Sequence, residues 1–117
     1  MSSNRFAPTP DAGADPSWAG DLAKVREVVR RAPPGTALDP AVVAGHTTLP
    51  LGVVIALLQV LAGRREGRLE LRVLDGRGRE VGAYATLGDI PASVHDQFGD
   101  IHRVSPEDVE LIFRVGP

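Results

Sequence analysis

The sequence predicts an α+β fold: three helices, then a β-hairpin, then a small β-rich extension. Apolar residues recur at helical spacing from Leu22 to Leu61, and a strict alternation replaces that spacing after Gly67. Proline and glycine fall at the joints between the periodic segments. The expected organisation is a disordered tail over residues 1–16, a folded domain over 17–87, and a β-rich extension over 88–117 packed on it.

Residues 1–16 hold three prolines among Ser, Asn, Thr, Asp and Gly, too little apolar surface to offset ordering entropy. In DLAKVREVVRRA, Leu22, Val25, Val29 and Ala32 form one helical stripe. Lys24, Arg26, Glu27, Arg30 and Arg31 face outward. Ser17 or Asp21 is the expected cap, and Pro33-Pro34-Gly35 stops the helix. LDPAVVAG reads as a compact second helix with Asp39 as N-cap, Pro40 in the first turn and Gly45 past its end. His46, Thr47 and Thr48 form the turn. Thr48 caps a third helix, which Gly63 or Gly67 ends.

RLELRVLDGRGREVGAYA then alternates. Leu69, Leu71 and Val73 point one way, Arg68, Glu70 and Arg72 the other, and Asp75-Gly76 with Gly78 supplies a hairpin turn. GDIPASVHDQFGD reads as a loop anchored by Ile90, Val94 and Phe98. IHRV reads as a short strand, and Ser105-Pro106 opens a single helical turn. VELIFRV is a last strand, with Val109, Leu111, Phe113 and Val115 on one face.

Composition limits function. The chain has 117 residues, a net charge of -2 and no cysteine. That balance gives no global attraction to nucleic acid or anionic lipid. Disulfides, thiolate catalysis and cysteine-ligated metals are excluded. Leu49–Ala62, with Gln59 as its only polar side chain, is shorter than the roughly 20 residues of a spanning helix. The N-terminus lacks the apolar core of a signal peptide, so cytoplasmic residence is the expectation.

Taken in order, DLAKVREVV, LDPAVVAG, TTLPLGVVIALLQVLAGRREG and RLELRVLDGRGREVG resemble the three helices and wing of a bacterial winged helix-turn-helix domain over residues 18–85. The ending VSPEDVELIFRV is similar to the end of zinc-ribbon-like modules found beside such domains. This copy lacks the metal-binding cysteines, so apolar packing alone is expected to hold it. The resemblance implies a fold and makes the third helix the element that would meet DNA.

Residue chemistry argues against that use. Base edges are read by polar side chains. Here Leu51, Val54, Leu58 and Leu61 make a core stripe, while Val53, Ala56, Val60 and Gly63 fall on or near the opposite side. An apolar surface desolvates phosphates and base edges without replacing their hydrogen bonds. The counter-signal is a basic run over residues 64–79, six Arg against Glu66, Glu70 and Asp75, a net of +3. Residues 89–110 carry six acids against Arg103, a net of −5.

The expected function is therefore a non-catalytic protein–protein interaction module, an adaptor or accessory subunit of a bacterial system. Its partner is another protein or a second copy, met through Val53, Ala56, Gln59 and Val60. Thr47, Thr48, Arg64, Arg65, Arg68, Arg72, Arg77 and Arg79 are candidate contacts to phosphate or to that partner. The alternative is a DNA-binding transcriptional regulator using those same residues. No cofactor, metal or membrane is expected. His95 and His102 are too irregularly spaced to aim at one ion, and Ser93, His95 and Asp96 are too close in sequence for a triad.

Overall fold

A computed structural model describes residues 16–117 of the chain. The expected tail falls outside them except for Pro16, which opens the first helix. The fold is α+β, with three helices and antiparallel sheets. Helix α1 spans Pro16–Arg31, so Ser17 and Asp21 lie inside it rather than at its cap. Its buried stripe is Leu22, Val25 and Val29, with Ala32 packed against the same core. Helix α2 spans Pro40–Thr47, and the Asp39 carboxylate accepts from the Ala41 N–H as expected of an N-cap.

The turn after α2 differs from expectation. Gly45 and His46 are helical, and the helix ends one turn later at Thr48, a left-handed residue whose N–H bonds the Ala44 carbonyl. Buried Thr47 keeps the last turn closed by donating its hydroxyl to the Val43 carbonyl. Thr48 thus ends α2 instead of starting α3, which spans Leu51–Gly63 behind Pro50. The helix axis turns by 108° between α2 and α3. No single helix among the described residues is long and apolar enough to cross a membrane.

Short strand β1 (Ala37–Leu38), β2 (Gly67–Leu74), β3 (Glu80–Tyr84) and β6 (Val109–Val115) form one antiparallel sheet in the order β1-β6-β2-β3. Residues 109–115, placed by the sequence in the extension, are therefore an inner strand of the main sheet. β6 pairs with β2 along its length, from Gly67↔Val115 to Val73↔Val109. This register puts Leu69, Leu71 and Val73 on one face with Phe113, Leu111 and Val109, as their alternation requires. The helices cover that face: Phe113, Val115, Val54, Leu57, Leu58 and Leu61 share a core with α1 and Val43. A bulge between Val73 and Leu74 interrupts the hairpin with β3.

Gly67 is demanded by that core. A Cβ here would overlap the Phe113 ring and stand 2.5 Å from the Arg114 carbonyl oxygen. Gly67→Ala is expected to cost about 1–3 kcal/mol through overpacking, read as a lower urea midpoint with an unchanged slope.

The segment between β3 and β6 is more ordered than a loop. Ser93–His95 (β4) and Ile101–Arg103 (β5) pair as a second, two-stranded sheet. Its turn is held by Asp96, whose carboxylate accepts from the Phe98 and Asp100 N–H groups, with Gly99 at positive φ. Val94 is buried as expected. Phe98 is not an anchor: it is 63% exposed and lies under the Arg77 guanidinium.

Candidate interaction surface

The outward face of α3 follows from its register. Val54, Leu57, Leu58 and Leu61 point inward, leaving Gly52, Ala56, Gln59 and Gly63 along the exposed line. Val53 flanks that line at 38% exposure, and Val60 is half-buried against the core. Leu51, expected in the core stripe, is 47% exposed, and Leu57 takes its place inside. The reason is the late start of α3, which sets Leu51 in its first turn, above the core. Leu51 and Ile55 border a small apolar groove of about 130 Å³ with Pro40 and Leu111. Among the described residues nothing covers Val53, Ala56 or Gln59.

The candidate basic residues separate into two groups. Arg68 and Arg72 lie on the sheet face away from the helices, in a charge lattice. Glu70 accepts from both Arg68 and Arg114. Arg114 also reaches Glu80 at 2.9 Å, and Arg72 pairs with Glu110 at 2.8 Å. Arg114 is held even more firmly protonated than usual, first by its hydrogen bonds to Glu80 and then by those to Glu70. Ile112 shares this face opposite Glu70 and is fully buried. Ion pairs hold the Arg72 and Arg114 guanidinium groups on the same face. Arg64, Arg65 and Arg79 are exposed and make no ion pair among the described residues. Arg77 is stacked on Phe98. Of the two threonines only Thr48 is at the surface, because Thr47 is 6% exposed.

The hairpin register sends the histidines apart: His102 pairs with Val94, and His95 with Ile101, on opposite faces. His102 instead meets Asp108 at 3.2 Å. Among the described residues no three His, Asp or Glu side chains form a group that holds a metal ion. Asp108 also accepts from the Ser105 N–H and hydroxyl, and those bonds hold its carboxyl below the usual range. The Arg79 and Arg77 N–H groups do the same for Asp75 in the hairpin turn. A depressed folded pKa stabilises the fold above the ordinary value of 3.8, and that contribution is lost as pH falls through the folded value. Amide exchange at Arg77, Arg79 and Ser105 is therefore expected to accelerate, relative to core amides, only below about pH 4.

Sequence reasoning missed a larger feature. α1 and the end of α2 enclose an open cleft of about 590 Å³, lined by Lys24, Glu27, Val28, Arg31, His46, Thr47 and Thr48. The signal was present in the i, i+3, i+4, i+7 spacing of Lys24, Glu27, Val28 and Arg31, which puts them on one helical face. Their common neighbour, the end of α2, was not legible. Comparisons with protein families, with characterised proteins and with solved structures find no match to this chain.

Proposed function

We propose that this chain is a winged-helix protein-interaction module without catalytic activity, an adaptor or accessory subunit whose partner protein docks on the outer face of α3. The winged-helix reading is supported by three helices leading into hairpin β2–β3 and by the 108° turn between α2 and α3. Helix-turn-helix pairs cross at about 90–120°. On this reading residues 75–108 elaborate the wing, and the strand that returns to the sheet is β6.

The observation that carries the function is the outer face of α3. It presents Val53, Ala56 and two glycines around a single amide, Gln59, and the described residues leave it open. Such a face gains free energy by leaving water against another apolar surface. It offers base edges one hydrogen-bonding side chain. Two of the wing cations, Arg68 and Arg72, are already engaged by carboxylates.

The DNA-binding alternative retains Arg64, Arg65 and Arg79. It requires duplex binding at low salt that weakens steeply as salt rises and disappears in Arg64→Ala/Arg65→Ala. The interaction reading expects no such shift. It expects binding to a protein encoded beside this one, lost in Ala56→Glu and kept in Ala23→Glu, which places the same charge on exposed α1 surface. A specific duplex shift, or equal effects of the two substitutions, overturns it.

A further inference from the structure

Away from α3, the described residues carry two surfaces of opposite character. One is the cleft between α1 and the end of α2. Lys24, Arg31 and His46 stand on its rim; Glu27 holds the Arg31 guanidinium at 2.9 Å, which leaves Lys24 as the uncompensated cation, and Val28 forms the apolar part. Val42, four residues before His46 on the same side of α2, is 54% exposed beside it. The other is the β4–β5 arm. Residues 87–108 hold Asp89, Asp96, Asp100, Glu107 and Asp108 against Arg103, a net of −4. Among these acids the arm holds out Ile101, 74% exposed, together with Phe98 and Leu87.

The two surfaces lie at opposite ends of the fold. The cleft belongs to the helices, which pack on the Phe113–Val115 end of the sheet. The arm turn meets the β2–β3 turn at the other end. The length of β2 separates them, about 25 Å by strand rise. An arm therefore cannot enter the cleft of its own chain.

We propose that the acidic arm of one copy docks at Lys24 in the α1–α2 cleft of a second copy, head to tail. Charge complementarity selects this occupant. The chain carries an acidic hairpin that exposes Ile101 and Leu87 and a cleft with an uncompensated Lys24, and the two cannot meet within one fold. The cleft volume lies within the roughly 300–1,000 Å³ of ordinary binding sites. A two-stranded hairpin is marginal when isolated, so the arm gains most from cover at its tip. Each copy offers both halves and the contact is not self-complementary, so association extends into chains or closes into a ring. The proposal does not rest on the α3 reading, because it leaves Val53 and Ala56 free.

The test is light scattering of the full chain over a concentration series at low salt. The mass is expected to rise above one copy's 12.4 kDa with concentration and to return toward it as salt screens the contact. Lys24→Glu/Arg31→Glu removes the cleft, and Asp100→Lys/Ile101→Ser removes the arm. All four side chains are exposed, and unchanged far-UV spectra verify folding. Each variant alone is expected to stay at 12.4 kDa. Their equimolar mixture is expected to reach twice that mass and stop, because it holds one intact arm and one intact cleft per pair. A constant 12.4 kDa at every concentration overturns the proposal, as does an assembly indifferent to both variants or a mixture that fails to pair. A monomer that still binds a protein through Ala56 removes the self-association and leaves the α3 reading standing.

Discussion

Replacing Phe113 by Ala is expected to lower stability by about 3–5 kcal/mol, a large share of the total margin of a domain this size. Phe113 is fully buried on β6, the strand between β1 and β2. It faces Leu38 on one side and Leu69 on the other, and its ring lies over Gly67. The cavity left by Ala would open where helices and sheet share one core, and among the described residues the short β1 pairs with no other strand. A urea titration followed by far-UV signal measures the loss. A cost below about 1 kcal/mol, the size of a surface substitution, would mean that β6 is peripheral, as the sequence alone implied.

Removing Glu70 is expected to cost about 2–3 kcal/mol. The residue is 8% exposed, and its carboxylate accepts from two guanidinium groups. The two partners are not equal. Arg68 is largely in solvent, so its pair contributes little. Arg114 is mostly covered and would be left with Glu80 as its one carboxylate, beside the Gly35 carbonyl. The cost therefore comes from a charge stranded over the sheet, not from the number of ion pairs. Glu70→Leu/Arg114→Met, which takes both charges away and leaves apolar cover over Ile112, is expected to recover most of the loss. If the double variant is no more stable than Glu70→Ala, the lattice contributes through its pairing and not through the matching of buried charge.

How much of this was legible depends on the range of the interaction. Local signals carried well: Asp39 before Pro40 as a cap, Leu22/Val25/Val29 as a stripe, and the alternation of β2 and of β6 all stand as expected. Failures came where distant or hidden partners decide. β1 is two residues long and exists because Thr36 and Gly35 exchange hydrogen bonds with Val115. Gly45 reads as a stop, but α2 runs past it to Thr47, whose side chain is buried. The loop around Asp96 became a hairpin because one carboxylate organises its turn. The last strand was recognised as a strand, yet nothing local told that it lies inside the main sheet. For the candidate site, the apolar character of α3 was readable. The division of the arginines into those engaged by Glu70, Glu80 and Glu110 and those left free was not, because it rests on cross-strand register.

The most direct measurement on the central claim is site-specific photo-crosslinking from position 56 of α3 in the cells that make the protein, with position 23 of α1 as the exposed control. A face built for a partner protein is expected to give a discrete, protease-sensitive adduct from position 56 that is absent from position 23. A nuclease-sensitive adduct from position 56, or the same products from both positions, would contradict it.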